Sequence, residues 1–152
     1  MLQTLFQRYK SKRLKYHLYY DRFFYEDRLK PFMILQIGVE PSLQVWQRYF
    51  TKSLIYCIDT FENYDPKDIS YLDEKRIYWS RCNVNDSKQL EHVMKNIWNS
   101  PRFNIIIDNT SNYYIRPTQE GSQLNIINRT LPKISFRRGQ GNLIPTKNDQ
   151  KK

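Results

Sequence analysis

Two aspartates close apolar runs in this chain, at positions where an α/β fold does its chemistry. Asp59 ends "SLIYCID" and lies 21 residues after Gly38, which ends "PFMILQIG". In a nucleotide-binding βαβ unit a glycine after the first strand lets the backbone turn tightly and approach the ligand. An acid about 20 residues further on accepts hydrogen bonds from ribose hydroxyls. The loop "GVEPS" offers one glycine only, and a lone glycine and acid at strand ends are also ordinary turn and cap residues. Asp108 ends "FNIIID" and is followed by Asn109, Thr110, Ser111 and Asn112. Three isoleucines between Asn and Asp predict a strand buried on both faces, and open α/β sheets bind ligands just past the carboxyl end of such a strand.

The elements that would position these groups alternate along the chain. Apolar runs at Pro31 to Gly38, Ser53 to Asp59, Arg76 to Cys82 and "FNIIID" predict four strands. Between the first two, "PSLQVWQRYF" has helical spacing at Leu43, Val45, Trp46, Tyr49 and Phe50, with Ser42 as its expected cap. After the third, Asp86 or Ser87 can cap a helix with an apolar stripe of Leu90, Val93, Met94, Ile97 and Trp98. A further helix is expected from about Thr118 to Thr130, ended by Pro132. Parallel neighbours need helical crossovers, so the rhythm predicts a Rossmann-like, doubly wound α/β sheet over residues 31–132. Residues 1–30 are expected to form a basic, aromatic helical segment. Residues 133–152 are expected to be a basic, disordered tail, save for a short strand at "KISF".

Composition limits the function classes. The 152 residues are 39% hydrophobic and 15% aromatic, enough for one packed core. No apolar run approaches the roughly 18 residues of a membrane span, and the N-terminus lacks a signal-peptide pattern, so a soluble, intracellular protein is expected. Cys57 and Cys82 lack metal or redox spacing and read as buried free thiols. The net charge of +10 divides into +5 for residues 1–30 (8 basic, 3 acidic), −1 for 31–128 (10 and 11) and +6 for 129–152 (7 and 1). Charged ends around a neutral core leave open a nucleic-acid or membrane-surface adaptor, or simply solvated termini.

Taken in register, "LQIGVEPSLQVWQRYF", "IYCIDT", "RIYWSRCNVNDSKQL" and "FNIIIDNTSN" resemble the class I S-adenosylmethionine-dependent methyltransferases. The similarity is to the macrolide and sugar O-methyltransferases, which carry "IGVGGGxSLxxWxxYF", "IYGIDI", "GDQSD" and "FDIIIDDGSH". It implies a sheet ordered 3-2-1-4, a cofactor held by Gly38, Asp59 and Asn83, and Asp108 as the acid nearest a methyl acceptor. Gln36 stands where the family has an acid, Asn83 where "GDQSD" has its first Asp, and Asn109 and Asn112 replace the second acid and the His of "DDGSH". One remaining carboxylate is a poor magnesium site and an Asn cannot serve as a base, so no divalent metal is expected. His17 and His92 are not expected to reach the site.

The family's three further strands have no counterpart after residue 132, which predicts a truncated sheet with strand four as its edge. An exposed edge of Ile105, Ile106 and Ile107 would invite a homodimer or a protein partner. The function implied is a methyltransferase-like domain, with O-methyl transfer to a sugar or other hydroxyl as its reaction. The alternative is a non-catalytic remnant acting as an interaction module.

Overall fold

The structure is a computed structural model that describes residues 1–109, and the backbone alone of 113–117, 124–128 and 133–136. Two short helices, α1 (Leu2–Arg8) and α2 (His17–Phe24), precede β1 (Met33–Ile37), α3 (Ser42–Tyr49), β2 (Leu54–Asp59), β3 (Ile77–Arg81), α4 (Ser87–His92) and β4 (Ile105–Asp108). The strands β5 (Tyr113–Pro117), β6 (Leu124–Asn128) and β7 (Lys133–Phe136) follow. β1 pairs in parallel with β2 and with β4, and β2 with β3, giving the order 3-2-1-4 of a Rossmann-like sheet.

Because both sheet faces are covered, the strands read as continuous apolar runs, while alternate residues serve opposite cores. Ile34, Ile55, Cys57, Ile77, Ile105 and Ile107 face α3 and the N-terminal helices. Met33, Leu35, Ile37, Tyr56, Ile58 and Ile106 face Leu90, Val93, Met94, Ile97 and Trp98. α4 begins at Asp86, whose Oδ1 accepts from the backbone N–H groups of Lys88 and Gln89. It continues as a π-helical turn, Val93–Ile97, that widens the helix before Trp98 drops into the core. Arg76 closes the far end of α3. Its guanidinium donates to the carbonyls of Gln47, Phe50 and Ser53, the placement a helix C-terminus favours for a cation.

Trp46 of α3 joins the N-terminal segment to the sheet. Its buried ring meets Phe6, Tyr20, Phe24 and Phe50 at centroid distances of 5.3, 5.0, 6.2 and 6.1 Å. Residues 1–30 are therefore part of the main core as well as a charged extension.

Three expectations change. Ser42 does not cap α3; the Glu40 carboxylate accepts the Ser42 N–H at 2.7 Å, and the Ser42 side chain turns inward. The expected helix from Thr118 to Thr130 is interrupted by β6, which pairs antiparallel with β5. Paired isoleucines flanked by Asn favour an extended chain over a helix, and apolar spacing alone could not discriminate. β4 is not an edge: β7, the "KISF" strand, pairs with it antiparallel, matching Ile105 to Phe136 and Ile107 to Ile134. The exposed-edge argument for a partner at Ile105, Ile106 and Ile107 thus loses its premise.

Replacing Trp46 with Ala would remove the hub of the N-terminal core. The expected loss is about 3–5 kcal/mol of unfolding free energy, measured by urea denaturation, and a loss below about 1 kcal/mol would contradict the hub assignment. Burial also pushes the Tyr20 phenol up to about 12 and the Cys82 thiol up to about 11, and raises Cys57, Tyr49 and Tyr71. Groups raised on folding stabilise the fold fully below their unfolded values, about 8.5 for Cys and 10 for Tyr. That stability is lost as pH climbs toward the folded values. The melting temperature should accordingly be flat from about pH 7 to 8 and fall steadily between about pH 9 and 12.

Candidate functional site at the carboxyl ends of β1, β2 and β4

The order 3-2-1-4 reverses at β1, the switch point beside whose carboxyl end such sheets have the crevice in which they take ligands. Gly38 sits at this point with φ 88°, a left-handed conformation open to glycine without strain, and its N–H donates to the Ile58 carbonyl. On the other side of β1, the Asn109 N–H donates to the Ile37 carbonyl. The structure thus brings Gly38, Asp59 and Asp108 together at one end of the sheet, as the sequence predicts.

Asp59 organises the loops around it. Its Oδ2 accepts the Val39 N–H and its Oδ1 the Phe61 N–H, each at 2.7 Å. A carboxylate has about four acceptor directions, so two such bonds leave capacity for a pair of vicinal hydroxyls. Phe61 adopts φ 51°, costly for an aromatic residue, and is held there by its surroundings. Its ring packs edge-on against Trp79 at 5.1 Å, and Arg81 lies over it while donating to the Thr60 and Phe61 carbonyls. The turn after β2 is therefore a fixed platform beside the Asp59 carboxylate.

Gln36 fills the place of an acid with a neutral network. Buried in β1, its Oε1 accepts from Ser42 Oγ at 2.7 Å and Trp46 Nε1 at 3.0 Å, and its Nε2 donates to the Gly38 carbonyl at 2.9 Å. Asn109 Nδ2 donates to Ser42 Oγ at 3.2 Å, extending the network to the end of β4. The loop after β1 is anchored from outside as well: Glu40 accepts from Ser11 Oγ and the Lys12 N–H, tying it to the N-terminal segment.

Asn83 follows β3, the neighbour of β2 in the sheet. It is exposed at the turn from β3 into α4, with its Oδ1 accepting the Asn85 N–H. Asp108 is buried in β4, opposite Ile37. Among the described residues no group of His, Cys, Asp and Glu is arranged to hold a metal, and the neighbour of Asp108 is an amide engaged with Ser42. That donor set does not fit a magnesium ion, which wants several oxygen ligands with more than one charge or a phosphate among them. Both histidines bond within their own segments: His17 contacts the Leu14 carbonyl and His92 contacts Asn96. No helix among the described residues is long and apolar enough to cross a membrane.

Sequence reasoning missed Ser42, Trp46 and Phe61. A Gln inside an otherwise apolar strand was the available signal for the first two, since a buried amide demands partners.

The fold is methyltransferase-like. The solved structures that the chain resembles include MycE methyltransferase from the mycinamycin biosynthetic pathway, in complex with Mg and SAH (TM-score 0.58) and with Mg, SAH and mycinamycin VI (TM-score 0.57). In each case the sequences are 29% identical, and the match covers 73% of this chain and 28% of the other. The chain thus spans little more than a quarter of those proteins. No protein-family model and no curated protein sequence matches it.

If Asp59 is the staple of the two loops, Asp59→Ala should speed amide hydrogen exchange at Val39 and Phe61 by at least about tenfold, consistent with the loss of charge-assisted bonds. Unchanged exchange at both amides would remove that role. Gln36→Leu should cost about 1–3 kcal/mol in denaturant unfolding, because Trp46 Nε1 and Ser42 Oγ would be left buried without their acceptor.

Proposed function

We propose that this chain is a methyltransferase-like domain that binds S-adenosylmethionine or its demethylated product at the carboxyl ends of β1 and β2. The observation that carries the reading is the Asp59 carboxylate, positioned by two backbone amides beside Gly38 at the point where strand order reverses. The ribose hydroxyls would donate to Asp59, and the Phe61 turn would border the base. Support also comes from the binding of SAH by the structurally similar MycE. A hydroxyl acceptor would be methylated by direct displacement: its oxygen bonds the methyl carbon as the carbon–sulfur bond breaks, and the hydroxyl proton passes to a base. Asp108 is the acid at the end of β4 that would orient the acceptor and take that proton.

The alternative of a binding module without transfer has its own support. Gln36, Ser42, Trp46 and Asn109 are joined by hydrogen bonds between neutral groups, leaving Asp108 as the acid of β4 beside them.

Calorimetric titration with S-adenosylhomocysteine separates these possibilities in two stages. Binding is expected, and Asp59→Asn should weaken it about tenfold or more, the scale of one charged hydrogen bond lost. No binding by a folded sample would overturn the proposal. With binding established, Asp108→Asn should abolish methyl transfer to a hydroxyl acceptor while leaving that affinity within about threefold; transfer that survives the substitution would take Asp108 out of the reaction.

A further inference from the structure

Five of the seven large apolar side chains exposed among the described residues fall within twelve positions of one another. They are Leu18 (74%), Tyr19 (42%), Phe23 (47%), Tyr25 (56%) and Leu29 (54%), on α2 and the turns that follow it. The opposite side of α2 is spent on the core through Tyr20 and Phe24, so packing already explains that half of the helix and leaves this half unexplained. Tyr19 and Phe23 touch, with ring centroids 4.8 Å apart, and form a continuous aromatic ridge. Such a cluster on an exposed helix marks an interaction surface.

Its charge selects the occupant. Lys15 and Arg22 are exposed in the same stretch, Arg28 lies over the Tyr25 ring at 4.1 Å, Glu26 is the exposed acid among them, and residues 1–30 as a whole carry a net charge of +5. From these observations we infer that the α2 face docks on a bilayer surface rich in anionic lipid. Leu18 and Phe23 enter between headgroups, the tyrosines sit at the interface, and the cations meet lipid phosphates. A helix that shows aromatic and leucine residues outward within a basic rim has the composition of an interfacial anchor.

The test is co-sedimentation of the full chain with vesicles of phosphatidylcholine alone, or with about 30 mol% phosphatidylserine added. The chain should pellet with the anionic vesicles and not with the neutral ones, and binding should fall steeply as salt is raised. Leu18→Ser combined with Phe23→Ser should reduce the partition at least about tenfold with an unchanged melting temperature, since both side chains are exposed. Lys15→Gln and Arg22→Gln should each reduce it about fivefold. The inference is overturned if neither vesicle binds, if neutral vesicles bind equally, or if the Leu18 and Phe23 substitutions change nothing. It is also overturned if sedimentation velocity shows self-association that those substitutions abolish, which would give the face to a second copy.

Discussion

A single buried amide organises this molecule. Gln36 lies in the central strand, where an unsatisfied polar side chain would cost several kcal/mol, and its three hydrogen bonds reach α3 twice and the glycine turn once. Satisfying Gln36 fixes the rotamers of Ser42 and Trp46. Trp46 then presents its ring to Phe6, Tyr20 and Phe24, so the N-terminal helices dock onto a surface that β1 has oriented. Packing and the site are thereby coupled through one residue.

The same coupling shapes the crevice. A carboxylate in place of Gln36 would add charge at the base of the loop, whereas the amide spends its capacity on internal partners. Asp59 works the other way: it uses two acceptor directions to hold Val39 and Phe61 and retains others. The carboxyl ends of the strands therefore set an acid with spare acceptor directions at β2 beside an amide and hydroxyl network that links β1, α3 and the residue after β4.

The charge distribution is a second organising fact. The neutral middle of the chain builds the sheet, while the basic N-terminal segment folds against it through aromatic packing and leaves its other side outward. Hydrophobic burial alone does not account for that arrangement, because side chains such as Leu18 and Phe23 remain in water beside cations.

Much of the sheet could be read in advance because parallel strands buried on both faces are written as uninterrupted apolar runs. Ile34, Ile55, Ile77 and Ile105 lie in such runs, and the polar pair Asp86 and Ser87 before an apolar stripe marks a helix start, of which Asp86 is the cap. The segment after Asp108 was misread because "LNIIN" satisfies helical and extended spacing equally, and pairing with β5 decides between them. The strand-four edge was misread for a similar reason, since nothing local to "KISF" says that it returns to β4. By itself the sequence determined the four parallel strands, their order through the family resemblance, and the placing of Gly38, Asp59 and Asp108 at strand ends. Only the tertiary structure decided which polar groups satisfy one another there, because Gln36, Ser42, Trp46 and Asn109 meet through folding across 73 residues of chain, and no local pattern encodes such a contact.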